Sequence, residues 1–166
     1  MALKKTVIAP SWEAKYSFSP AVVTEGGKTI WLAGHVGFVD DTGASLAGNF
    51  DAQVRQAFKN LEKTLQRAGG TLKDIVWMTV AVSDGRYSQR FTDIRKEIYG
   101  SDFPASTLLT AACFAVPEIM VEITPIAVVA GQRLPWAPEH GSPGGCCPER
   151  ERACLRVSTN SFLKTG

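Results

Sequence analysis

Apolar residues follow two different rhythms along this chain. Over 51–68, Val54, Phe58, Leu61 and Leu65 recur at steps of four, three and four, with Ala57 beside them. Arg55, Lys59, Glu62, Lys63 and Gln66 fill the remaining positions. That spacing predicts a surface helix with one buried stripe. Asn49 can cap its start, and Gly69-Gly70 can end it by supplying a left-handed residue. Thr71 and Asp74 have capping-box spacing, with Asp in the usual place of Glu, which predicts one short helical turn. A second helix is expected over 86–99, with Tyr87, Phe91, Ile94 and Ile98 on its stripe and Gly100 as its stop.

Elsewhere the rhythm is that of strands. Two β-rich runs, 21–24 and 29–33, flank Gly26-Gly27 and read as a hairpin. Residues 75–82 are almost continuously apolar and β-branched, which predicts a central strand covered on both faces. Residues 107–113 and 119–129 give two more strands, and 6–9 an extra one. Gly34 and Gly37 interrupt an apolar run, so close approach of another backbone or a ligand is expected there. The element order predicts an α+β fold, a mixed sheet with two helices packed on one face.

After Ala130 the pattern fails. Pro135, Pro138, Pro143 and Pro148 break up the chain, and no apolar periodicity survives. The expected organisation is one domain over 1–130 and a disordered C-terminal extension over 131–166. Basic and acidic residues balance at 13 each before Gly131, so the formal net charge of +2 arises in the extension. Such a small charge argues against nucleic acid or an anionic membrane as the main partner. No apolar run approaches the roughly 20 residues of a membrane span. Lys4 and Lys5 imitate the basic start of a signal peptide, but Pro10, Glu13 and Lys15 follow too soon. A cytoplasmic protein is expected. His140, Cys146, Cys147 and Cys154 are conceivable metal ligands, but adjacent cysteines chelate poorly and no Cys-x-x-Cys spacing is present, so no metal is expected.

The chain carries no nucleophile elbow, phosphate-binding loop, zinc-protease motif or dinucleotide fingerprint. His35 reads as a hydrogen-bonded histidine at a strand end rather than a catalyst. Glu122 is the one ionisable side chain in the run 119–129. The pattern by itself favours a half-exposed strand with one solvated carboxylate. The sharper reading is a carboxylate at a cleft or subunit seam, where partial desolvation would suit it to acid–base work. Pro104 forces an extended entry to the next strand, and Ser106 and Thr107 put two hydroxyls at its mouth. Those hydroxyls read equally well as strand-start chemistry that satisfies free backbone groups.

Five segments together resemble, in order and spacing, the landmarks of the Rid (YjgF/YER057c-like, reactive intermediate deaminase) family. They are Phe18-Ser19-Pro20-Ala21-Val22, Leu32-Ala33-Gly34-His35, residues 53–69, Pro104-Ala105-Ser106-Thr107 and Val121-Glu122-Ile123. The resemblance covers about 16–129. It implies a chorismate-mutase-like fold, a six-stranded mixed sheet with two helices on one face, assembled as a homotrimer with ligand clefts between subunits. It also implies hydrolysis of enamines and imines to a carbonyl compound and ammonia, without cofactor or metal, with Glu122 positioning the water. Ser106, Thr107, Gly34, Phe18 and Phe91 would line the cleft around a small-molecule substrate.

Three departures bear on the substrate. Where the imine-deaminating members have an arginine after Pro-Ala, this chain has Ser106, which cannot make a bidentate charged contact. A position usually tyrosine is matched by Phe18, and one often asparagine by Phe91. The chain thus resembles a branch without the arginine that clamps the substrate carboxylate. The alternative reading is a trimer of the same fold that binds a small metabolite without turning it over, or acts as a chaperone. On the enzymatic reading, Ser106→Arg is expected to raise activity on small 2-imino acids.

Overall fold

The structure, a computed structural model, describes residues 2–9 and 11–131; the expected extension beyond them lies outside the described residues. Two helices carry the core. Helix α1 (Phe50–Arg67) begins where the Asn49 side chain accepts a hydrogen bond from the Ala52 amide. It ends before Gly69, whose φ of +81° supplies the expected left-handed residue. Its predicted stripe of Val54, Ala57, Phe58, Leu61 and Leu65 is fully or almost fully buried. Full burial of each large side chain contributes about 1.5–3 kcal/mol, so this stripe decides which way the helix faces. Helix α2 (Ser88–Tyr99) follows a 3-10 turn over Gly85–Tyr87 and buries Phe91 and Ile94. Ion pairs from Arg90 to Asp51 and from Arg55 to Glu97 join the solvent sides of the two helices. Thr71 and Asp74 form the capping box read from their spacing.

Six strands are present among the described residues: β1 (Lys4–Val7), β2 (Val22–Glu25), β3 (Lys28–Trp31), β4 (Ile75–Val82), β5 (Ala105–Thr110) and β6 (Val121–Val129). They divide into a four-stranded mixed sheet in the order β3-β6-β4-β5 and a two-stranded antiparallel sheet of β1 and β2. The fold is thus the α+β class that the sequence predicts, with the six strands shared between two sheets rather than laid in one.

The split corrects the hairpin expected at Gly26-Gly27. Both glycines do take positive φ, +71° and +77°. A Cβ on Gly27 would lie 2.7 Å from the Val129 carbonyl oxygen, so the chain leaves the turn already pressed on β6. Strand β3 therefore pairs with β6, from Lys28 opposite Val129 to Trp31 opposite Ile126, and β2 pairs with β1.

A second correction concerns β4. Its Met78, Val80 and Val82 are buried against the helices together with Val121 and Ile123 of β6. Its other face, bearing Trp77, Thr79 and Ala81, has no helix over it among the described residues, and Trp77 is 36% exposed. Among the described residues of one chain the central strand is covered on one face only.

The glycines expected at close approaches behave as such. A Cβ on Gly37 would sit 2.4 Å from the Gln53 carbonyl oxygen and 2.6 Å from the Ala57 amide nitrogen, so the loop after β3 lies directly on α1. Gly34 meets a side chain instead, that of Glu122.

Candidate functional site

Strand register decides which candidate residues can meet. Side chains alternate between the two faces of a strand, and directly paired residues share a face. Glu122 pairs with Ala81 and Thr124 with Thr79, while Thr79 also pairs with Thr107 and Ala81 with Leu109. These residues therefore form two adjacent rows on the helix-free face, Thr107–Thr79–Thr124 and Leu109–Ala81–Glu122. A third row on the same face holds Trp77, Ile126 and Trp31. Ser106 pairs with Met78 and so points to the opposite face, toward the helices.

Glu122 is half-buried on the helix-free face. Its Oε1 lies 1.8 Å from where a Gly34 Cβ would be, and its Cδ and Cγ lie within 3 Å of that point. Only glycine at position 34 leaves the carboxylate its place. Among the described residues no donor hydrogen-bonds to it. The surrounding side chains are threonines and apolar groups, with Trp31 78% and Leu109 43% exposed. The carboxylate is thus seated in the sheet, with its oxygens free for water or a ligand.

His35, next to Gly34, is committed elsewhere. Its Nδ1 lies 2.8 Å from the Ala33 carbonyl oxygen and its Nε2 2.9 Å from the Thr64 hydroxyl of α1. Nε2 ties the loop to the helix and Nδ1 closes on the loop's own backbone, as the strand-end reading expects.

Phe18 and Ser106 come together on the other face, at the β5 edge. A cavity of about 340 Å³ opens there between β5, α2 and the 3-10 turn over Trp12–Tyr16. That turn is fixed by Glu13, whose carboxylate accepts from the Ser11 amide at 2.8 Å and the Ser11 hydroxyl at 3.1 Å. Ser19 then hydrogen-bonds through its amide to the Pro104 carbonyl at 3.1 Å, which holds Phe18 alongside the start of β5. Trp12 stands edge-on to Phe18, with ring centroids 5.9 Å apart. Phe91 does not line this cavity: it is fully buried in the core, packed on Phe58, and Thr92 is the helix residue at the wall.

The sequence reading missed Arg95. It follows Phe91 by four residues, so the helical spacing that buries Phe91 and Ile94 carries it inward too. It is 2% exposed. Its Nη1 donates to the Ser106 hydroxyl at 2.6 Å and its Nη2 to the Tyr16 carbonyl at 2.7 Å. The guanidinium stacks over the Phe91 ring, 5.2 Å from its centroid. Its Nε is buried without a partner, and no carboxylate among the described residues pairs with it. Desolvation lowers its pKa to about 10, so it remains cationic at neutral pH.

A larger cavity, about 510 Å³, is lined by Lys5, Lys73 and Asp102 among others. It contains none of the predicted residues, and its Lys5 ammonium already donates to the Lys73 carbonyl. Neither cavity includes Glu122. One chain therefore carries two separated groups: Glu122, Gly34 and Thr107 on the helix-free face, and Phe18, Ser106 and Arg95 around the smaller cavity.

Known proteins share this architecture. A Rid-family protein of unknown function from Yersinia pestis, YyfB, is 26% identical with a TM-score of 0.67, over 75% of this chain and 98% of its own. RidA from an Antarctic Psychrobacter is 27% identical with a TM-score of 0.57, over 68% of this chain and 89% of its own. A member of the YjgF/YER057c/UK114 family from Mycobacterium tuberculosis is 26% identical with a TM-score of 0.53, over 76% of this chain and all of its own. The family model described as Endoribonuclease L-PSP matches residues 8–129, from just after β1 to the end of β6. With that match over most of the chain, and these neighbours on the same fold, the chain belongs to the Endoribonuclease L-PSP family, that is, the Rid (YjgF/YER057c) family.

Proposed function

We propose that this protein hydrolyses reactive enamines and imines to a carbonyl compound and ammonia. The observation that carries the reading is the Glu122 carboxylate, half-buried against Gly34 with no donor on its oxygens among the described residues. The enamine first tautomerises to the imine. Glu122 takes a proton from a water as its oxygen bonds to the C=N carbon. The proton passes to nitrogen, the C–N bond of the resulting carbinolamine breaks, and ammonia leaves with a carbonyl group behind. Each step moves protons and water only, so a positioned carboxylate suffices.

The two groups on opposite faces require assembly. Exposed Trp31, Trp77 and Leu109 stand on the same sheet face as Glu122, an apolar surface of the kind that marks a protein–protein contact. In this reading the chain forms a homotrimer. The helix-free face of one copy meets the β5 edge of the next, bringing Glu122 and Gly34 to the mouth of the neighbour's Phe18–Ser106 cavity. Thr107, on the same face as Glu122, lies at that seam.

The test is ammonia release from imines generated in situ by an amino-acid oxidase, for the full chain and Glu122→Gln, with light scattering for the assembly. A substrate-dependent rate that collapses in Glu122→Gln supports the proposal. Rates equal to buffer for acidic and neutral imines alike would end it. Cleavage of an RNA substrate that Glu122→Gln abolishes would move the function to the activity in the family's name.

A further inference from the structure

A buried cation with no counter-charge is costly, because the lost hydration of a guanidinium amounts to several kcal/mol unless an anion or a full set of acceptors replaces it. Arg95 has neither. It uses two of its five N–H donors on the Ser106 and Tyr16 oxygens and a third on the Met78 sulfur, a weak acceptor at 4.0 Å, and Nε–H has no acceptor among the described residues. It stands in the wall of a cavity rather than in closed core. Trp12, Tyr16 and Phe18 line the same cavity, with Trp12 59% and Tyr16 41% exposed. Aromatic side chains lining one cavity with a desolvated guanidinium that has no carboxylate partner among the described residues match a ligand that is flat and apolar at one end and anionic at the other.

We propose that Arg95, reaching in from α2, makes this cavity a receptor for a small aryl-substituted monocarboxylate, with the carboxylate on the guanidinium and the aryl group among Trp12, Tyr16 and Phe18. This deepens the deaminase reading and rests on it for the reaction, though not for binding. It also changes the meaning of Ser106. The strand position has no arginine, and the Ser106 hydroxyl accepts a hydrogen bond that aims a guanidinium arriving from the helix. A second arginine at 106 would set two cations against each other, so Ser106→Arg alone is expected to weaken anion binding. That reverses what the sequence suggests.

The experiment is calorimetric titration of the full-length protein with phenylacetate, phenylacetamide and acetate, in the wild type and in Glu122→Gln. Phenylacetate is expected to bind at least tenfold more tightly than either of the others, since a hydrogen bond to a charged group and burial of a ring each account for about that factor. Arg95→Met should lose the preference for phenylacetate over phenylacetamide. It should not lower the melting temperature by much, because a thioether side chain of similar length removes a desolvated charge. Should Arg95→Met fold poorly, Arg95→Met/Ser106→Arg decides, since it returns a guanidinium from the strand side and should restore the preference.

Equal affinity for phenylacetate and phenylacetamide in the wild type overturns the anion site, and so does an unchanged preference in a folded Arg95→Met. Equal affinity for acetate and phenylacetate overturns the aryl class. The two proposals fail separately. Phenylacetate binding without ammonia release from any imine leaves the site standing and removes the deaminase. Turnover of imines without a preference for aryl carboxylates does the reverse.

Discussion

Replacing Gly34 by alanine tests the geometry of the carboxylate without touching the carboxylate itself. The new methyl carbon would fall 1.8 Å from Glu122 Oε1, 2.6 Å from Cδ and 2.9 Å from Cγ. No real contact is that short, and all three atoms belong to one flexible side chain. Gly34 does not have positive φ, so alanine suits its backbone. The side chain of Glu122 therefore swings off its seat, at a cost of about 1 kcal/mol if it leaves its preferred rotamer. That corresponds to a melting-temperature drop of roughly 2–8 °C. Catalysis should suffer far more, because a positioned acid–base group contributes about 10²–10⁴-fold and a displacement of more than an ångström forfeits most of it. In the coupled ammonia-release assay, kcat/KM for Gly34→Ala is expected to fall about 100-fold or more. The double variant Gly34→Ala/Glu122→Gln should be no worse than Glu122→Gln, since both changes act through one group. A Gly34→Ala protein within about threefold of wild type would refute the reasoning, as would losses that multiply in the double variant.

Other expectations follow from the same contacts. Asp41 ties the loop before α1 to Lys59, Lys63 and Gln56, and those hydrogen bonds, Lys59's first, hold its carboxyl below its ordinary pKa of 3.8. Its contribution is complete above that ordinary value and is lost as pH falls through the lower folded one. Asp41→Asn should flatten acid unfolding monitored below about pH 4. Leu61→Ala, at a fully buried position of the α1 stripe, should destabilise the protein by about 2–5 kcal/mol in urea titrations. Trp31→Glu places a charge on the helix-free face, 78% exposed in one chain, and should give monomers by light scattering with little change in far-UV circular dichroism. A chain ending at Ala130 should keep the wild-type melting temperature, and a large drop would show that the extension stabilises the domain.

Local pattern determined much of this protein. The stripe from Val54 to Leu65, the Asn49 cap, the capping box at Thr71–Asp74 and the continuous strand 75–82 were all legible, because each depends on neighbours within a few residues. The close approaches at Gly34 and Gly37 were legible too, since only glycine admits another group so near the backbone. Pairing was not. Whether β2 meets β3 or β1, and which face Ser106 shares with Glu122, depend on register between strands far apart in sequence, and a shift of one residue reverses every side chain. The family resemblance implies that Ser106 and Glu122 line one cleft between subunits; within one chain the register through β4 puts them on opposite faces. Arg95 was hidden for a related reason. Its charge suggests the solvent side of α2, although its spacing of four from Phe91 puts it on the buried stripe, and the structure shows it turned inward, where the Ser106 hydroxyl and the Tyr16 carbonyl accept its hydrogen bonds. The sequence thus determined the elements and the residue types available for chemistry. Tertiary structure decided which of them meet, because side-chain direction across a sheet is a property of pairing and not of composition.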